Sequence, residues 1–198
     1  PLIETDAVKA DAGHVGVEEA LAASGLPWAS FRPQYISGYG SNKDCEEWFF
    51  DRIARGRPVP IPGSGDLMCS ISNAEDLGAM MCLAVGNPKA RGIFNCVHNK
   101  GITHDGMVRL CAKVMAVDCP PIVHYNPSEV GGKKAFLFRP VHFYAQPVAA
   151  TSLLGWAPKW NLEETLAQRW ELYKELGRDK KDIDFSLDDE ILAHCEAK

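Results

Sequence analysis

The 198-residue chain, 46% hydrophobic and 24% charged, can bury an ordinary core and is bounded to one domain or a domain with an appendage. Its formal charge of −5 gives no overall attraction for phosphate, and no apolar run approaches the roughly 20 residues of a helical membrane span. Its 7 cysteines are odd in number and lack a CxxC pair, which favours reduced, packed thiols over a disulfide frame or a zinc site.

The chain opens Pro1-Leu2-Ile3-Glu4 rather than on Met, with no charged leader before an apolar core. A processed or truncated amino end is therefore expected, with any targeting peptide upstream. Val8 to Ala23 carries Ala and Val at helical spacing until Gly25-Leu26-Pro27 stops it. Trp28 to Phe31 reads as a buried strand, and Asn42 or Asp44 as the cap of a helix reaching about Arg55 with Trp48, Phe49 and Ile53 on its apolar side. After Val59-Pro60-Ile61, the turn Pro62-Gly63-Ser64-Gly65 supplies residues tolerant of positive φ, and Met68 to Ile71 resumes an extended run.

Asn73 and Asp76 open a helix through Val85, with Leu77, Met80, Met81 and Ala84 on a broad apolar face and Asn87-Pro88 closing it. Gly92 to Val97 fits a core strand, Thr103 caps a segment to Met115, and Ile122 to Tyr125 forms a further strand. Gly131-Gly132-Lys133-Lys134 reads as a mobile loop. Asn161 and the acidic pair Glu163-Glu164 begin a helix with Leu162, Leu166, Trp170 and Tyr173 on one side. From Arg178 the chain is a charged tail with one short helix at Leu187 to His194, so residues 1–177 are expected to form the body and 178–198 the tail. Alternating helices and short strands place the chain in the α/β class.

Five motifs recur in order: a helix bearing Lys9, Arg32-Pro33-x-x-x-x-Gly38, Gly63-Ser64-Gly65 before a strand, Asp76 in the next helix, and Leu154-Gly155-Trp156-Ala157-Pro158 before a long helix. Together they resemble the extended short-chain dehydrogenase/reductases of the nucleotide-sugar epimerase and dehydratase group, over nearly the whole chain. The resemblance implies the carboxy-terminal portion of a Rossmann-like fold with a small mixed α/β substrate-type lobe, the nucleotide-binding half being absent from this chain. In such enzymes a Tyr four residues before the Lys is the general acid/base. Lys9 matches that lysine, but Thr5 stands at the tyrosine position, and an aliphatic alcohol does not ionise usefully near neutral pH. Cys69 stands where a phosphate-holding Arg is expected, and Tyr35 where an amide is expected; Arg139 matches the second phosphate-holding arginine. NAD(P)-dependent epimerase or dehydratase chemistry, and a redox role for NAD(P), are therefore not expected.

A closer resemblance, to the chloroplast stem-loop-binding proteins, is carried by residues 6–14, by Asn42 through Arg52, by Lys133 through Arg139 with His142-Phe143-Tyr144, and by Gly177 through Lys181. It implies a protein of the chloroplast stroma that binds stem-loop RNA, associates with transcripts and ribosomes, and assembles with itself or a related protein. It also implies an endoribonuclease using a divalent metal such as Mg2+. For RNA contact, Lys133, Lys134 and Arg139 are flexible cations beside Phe136, Phe138, His142, Phe143 and Tyr144. The cations would neutralise phosphate while a ring stacks on an unpaired base. The plainer alternative puts those rings in the core. For metal-assisted cleavage, Asp44, Glu46, Glu47 and Asp51 form the densest acidic cluster, and Asp44, Glu47 and Asp51 share one helical face. Solvated surface carboxylates are the alternative there. Lys9 would contact ribose or phosphate or simply snorkel, and no spacing selects among His98, His104 and His142 as acid/base groups. A non-catalytic member of a large assembly is a third reading.

Overall fold

The computed structural model describes residues 1–40, 45–130 and 135–197. Around Arg32 the architecture is a parallel pair with helices on both sides. Strand β1 (Ala29–Pro33) pairs in parallel with β6 (Gly92–Cys96), Phe31 opposite Phe94 and Arg32 opposite Asn95. Period-2 alternation sends Phe31 to one face, where it stacks on Phe94 at 5.9 Å. That face is covered by α3 (Ala74–Ala84) and α5 (Val148–Leu154), whose Met80, Ala150 and Leu154 are buried with Trp156. Ser30 and Arg32 emerge on the opposite face and meet Glu18 of α1 (Val15–Ala23), with Arg32 Nε at 2.9 Å and Ser30 Oγ at 2.7 Å. The Arg32 guanidinium holds the Glu18 carboxyl below its usual range.

Helix α1 begins at Val15, not at Val8 as the Ala/Val spacing predicts. Residues 8–13 are exposed, so no burial offsets the entropy of winding another turn. Capping is more faithful to sequence. The Asn73 side chain accepts from the backbone N–H groups of Glu75 and Asp76, and Thr103 Oγ1 accepts from Gly106 at the start of α4 (His104–Val114). Asn161 and Glu164 form a reciprocal capping box on α6 (Leu162–Glu175).

The largest core gathers α2 (Glu47–Ile53), α4 and α6 around three further strand pairs. Strand β2 (Tyr35–Ser37) runs parallel to β5 (Ile71–Asn73), β3 (Val59–Pro62) parallel to β8 (Ile122–Tyr125), and β4 (Met68–Cys69) antiparallel to β7 (Ile102–Thr103). Two prolines are tolerated in β3 because it ladders to β8 alone, leaving an edge where no N–H is required. Gly65, at φ +77°, follows: a Cβ there would lie 2.0 Å from Asp105 Oδ1, so the Gly-x-Gly turn is a close-approach requirement. Helix α5, flanked by Pro147 and without a side-chain cap, has no counterpart in the sequence expectations; Gly155 ends it at φ +65°.

Two of the five motifs are one lock. The buried Asp76 accepts the backbone N–H of Lys159 at 2.8 Å and of Trp160 at 3.3 Å, and Trp156 Nε1 donates to the Asp76 carbonyl at 3.2 Å.

Residues 178–197 pack on the body. Helix α7 (Ser186–Glu196) begins at Ser186 rather than Leu187, and its Ile191 is buried with Tyr125, Val130 and Ala135. Asp188 accepts from Arg52 at 2.8 Å, and Asp189 pairs with Arg57. Cys45, Cys69, Cys96 and Cys111 are buried, Cys195 is half-buried, and Cys82 and Cys119 are exposed; all seven thiols are free. No described helix is long and apolar enough to cross a membrane.

Candidate functional site

Tyr35, two residues past β1, fixes the surface that carries Arg139. Its ring packs on Phe138 at 4.4 Å and meets Phe143 edge-on at 5.7 Å. Its hydroxyl oxygen accepts the Arg139 backbone N–H at 2.7 Å. Burial pushes the Tyr35 phenol up, so it stays a neutral hydrogen-bonding group at physiological pH. The substitution that reads as a lost amide in the sequence is thus the pedestal of the 138–143 segment. Its aromatic neighbours in sequence gave no sign of that, because the partners lie 104 residues away.

The exposed Arg139 guanidinium sits over the half-buried Phe143 ring at 4.3 Å, an arrangement that holds a cation flat at a surface. No carboxylate pairs with it among the described residues. His142 is exposed and its Nδ1 accepts the Met68 N–H at 3.1 Å, leaving the other ring nitrogen as the polar tip. Tyr144 is half-buried, its ring pressed against Gly101, where a Cβ would approach to 2.6 Å. Arg139, His142 and Tyr144 therefore lie on one short segment. Beside it a cleft of about 340 Å³ is lined by Pro62, Tyr125, Phe136, Phe138 and Arg139 among others. Lys133 and Lys134 lie outside the described residues.

The other candidate rings are core. Phe136 and Phe138 are 6% and 4% exposed, so they are packing groups and do not stack on a base. They enclose His104, which is fully buried with no hydrogen-bond partner on either ring nitrogen, at 4.8 and 5.6 Å from the two phenyl rings. Burial pushes His104 down to about 4 and lowers His98 as well. Both are neutral at pH 7, and neither faces an open surface.

The acidic cluster is built differently from a solvated helix face. Asp44 lies outside the described residues. Glu46 and Glu47 are buried and both bind Arg169 of α6; burial raises the Glu46 carboxyl. Asp51, 3% exposed, accepts Tyr173 Oη at 2.8 Å and Arg178 Nη2 at 2.7 Å, with Arg55 at 3.8 Å. These carboxylates pin α2 to α6 and to the segment after it. No group of three or more His, Cys, Asp or Glu among the described residues has the arrangement to hold a metal ion. Among the described residues, Glu46, Glu47 and Asp51 are thus committed to Arg169, Tyr173 and Arg178 rather than arranged around a cation, and no chemical step is routed through one.

Of the positions that match the dehydrogenase motifs, Thr5 is exposed, and Lys9 is exposed and paired with Asp11 at 3.0 Å. Cys69 is 1% exposed, its thiol pushed up to about 12 by burial, a neutral group that cannot hold a diphosphate.

No family model matches the chain. It is 41% identical over 199 residues to the chloroplast stem-loop binding protein of 41 kDa b of Arabidopsis thaliana, an alignment covering 98% of this chain and 53% of that protein. The chain thus spans about half the length of that relative. Among solved structures, the UDP-glucose 4-epimerase of Thermotoga maritima with UDP-glucose matches at TM-score 0.65 and 23% identity, covering 81% of this chain and 52% of the other. The Bordetella bronchiseptica enzyme WbmG with NAD and UDP matches at TM-score 0.63 and 18% identity, covering 81% and 47%. At these identities the likeness is one of fold alone, a partial Rossmann-like α/β architecture.

Proposed function

The chain is related along its length to the chloroplast stem-loop binding protein of 41 kDa b on an extended short-chain dehydrogenase/reductase fold, and from that premise we propose that it binds stem-loop RNA in the chloroplast. The observation that carries the reading is the 41% identity running through 98% of the chain. Local chemistry supports it: Arg139 is held on Phe143 with no carboxylate partner among the described residues, and His142 and Tyr144 stand on the same segment. In an acidic chain, recognition of a polyanion must rest on such local cations, and a guanidinium seated on a ring offers both a phosphate partner and a stacking plane.

Association with transcripts on the ribosome, and assembly with a second copy or a related subunit, extend the same reading. Endonucleolytic cleavage with a divalent metal such as Mg2+ is its finer form; the described carboxylates supply no step for it. An NAD(P)-dependent epimerase is the second reading, favoured by the fold alone and opposed by Thr5 and by the buried Cys69.

The test is fluorescence anisotropy of the whole protein with a hairpin RNA over a range of salt. Binding weakens with rising salt, and Arg139→Ala lowers affinity while making the log–log salt slope shallower by about one phosphate contact. A hairpin that fails to bind at low salt, or Arg139→Ala with unchanged affinity and slope, overturns the proposal.

A further inference from the structure

Among the described residues, the arginines Arg32, Arg52, Arg55, Arg57, Arg109, Arg169 and Arg178 each pair with a carboxylate. Arg139 and Arg91 do not. Arg139 belongs to the surface already described, beyond the carboxyl end of β1. Arg91 lies at the other end of the same strand, beside a cleft of about 410 Å³ lined by Pro27, Trp28, Asn87, Pro88 and Arg91 among others.

The cleft is a formed site. Its floor is the start of the β1/β6 ladder, where Gly92 N–H donates to the Trp28 carbonyl at 3.1 Å. Its opposite wall is the turn that follows α3. There the Asn87 side-chain amide donates to the Leu83 carbonyl at 3.1 Å, its Oδ1 accepts the Lys89 N–H at 2.9 Å, and Arg91 N–H donates to the Lys89 carbonyl at 2.9 Å. Two proline rings and an indole give rigid, flat apolar walls that lose little entropy on binding. Arg91 lines the cleft and Lys89 lies just outside its lining, between Pro88 and Ala90; both are exposed, and neither has an ion-pair partner among the described residues.

We propose that this cleft is a second RNA contact, taking an unpaired nucleotide with its base against Trp28 and its phosphates against Arg91 and Lys89. The inference rests on the RNA reading above and deepens it. The volume lies in the range that holds a small ligand such as a nucleotide. Proline, indole and guanidinium surfaces accept any base by its face. Two cations without an ion-pair partner among the described residues, in a chain of formal charge −5, select a polyanion over a neutral peptide. The five residues of β1, about 13 Å from first to last Cα at roughly 3.3 Å per step, lie between the two contacts. One contact therefore engages a nucleotide outside the segment held at Arg139.

The whole protein carrying Lys89→Glu and Arg91→Glu is titrated by anisotropy against a hairpin with a single-stranded flank. Both side chains are exposed, so the melting temperature stays that of the parent. Expected is a loss of about tenfold in affinity, with a salt slope shallower by about 1.4, as for two single-strand phosphates. A photoreactive uridine placed in the flank cross-links to the peptides holding Trp28 and Pro88. If the parent binds the hairpin and the charge-reversed protein matches it in affinity and slope, the second contact is wrong while the RNA reading stands. If the parent does not bind, both fall. Unchanged RNA affinity with lost affinity for a proline-rich peptide reassigns the cleft to a protein partner and overturns the proposal.

Discussion

Asp51 separates a structural carboxylate from a chemical one. It is buried and bound by Tyr173, Arg178 and Arg55. Removing it takes the acceptor from the Tyr173 phenol and the carboxylate partner from the Arg178 guanidinium, and truncating one partner of a buried pair is strongly destabilising. Arg55 and Arg178 retain some solvent, which screens part of the effect. Asp51→Ala is accordingly predicted to destabilise by about 2–4 kcal/mol in urea titration. If the variant keeps its stability but loses a metal-dependent cleavage seen in the parent, Asp51 returns to the role of metal ligand. The sequence placed Glu47 and Asp51 together correctly on a helical face. It could not show that Arg178, 127 residues on, would claim the carboxylate, because nothing local encodes that meeting.

At the scale of the element, the contact between α4 and the 136–138 segment is sensitive to pH. His104, the first residue of α4, is caged by Phe136 and Phe138 with both nitrogens unpartnered. Its folded value of about 4 lies below the unfolded value near 6.5. The contribution of neutral His104 is therefore fully present above about pH 6.5 and is lost as pH falls toward 4, where the unfolded chain takes up the proton more readily. At about pH 4.5 the loss amounts to about 2–3 kcal/mol, and His98 adds in the same direction. His104→Leu is predicted to flatten that acid limb in unfolding curves at neutral pH and at about pH 4.5. Equal limbs for parent and variant would refute the assignment. Helix starts such as Asn73, Thr103 and Asn161 were legible because a cap acts over three residues. The start of α1 and the existence of α5 were not, since neither has a side-chain cap to mark it.

Over the whole molecule, the fold class was legible where a motif records a tertiary constraint in a few residues, as the stretch around Lys9 does not. Gly65 is required by the approach of Asp105, and the Leu-Gly-Trp-x-Pro run is required by the Asp76 lock. Of the segment proposed to meet RNA, Arg139 and His142 are exposed, yet Phe136 and Phe138 are interior, and Tyr35 beneath them carried no local signal. Long-range pairing also ties residues 178–197 to the body through Asp51, Arg52 and Arg57, so the charge of that segment does not describe its packing.

The distribution of sulfur makes this protein its own reporter. With Cys82 and Cys119 outside and Cys45, Cys69, Cys96 and Cys111 sealed in, a brief maleimide pulse should alkylate the first two at once. The four interior positions should react only as fast as the interior opens, since alkylation needs an accessible thiolate. Peptide mass spectrometry of such pulses would resolve which of the packed clusters breathes first, and prompt labelling of Cys45 or Cys111 in the native protein would contradict the packing described above.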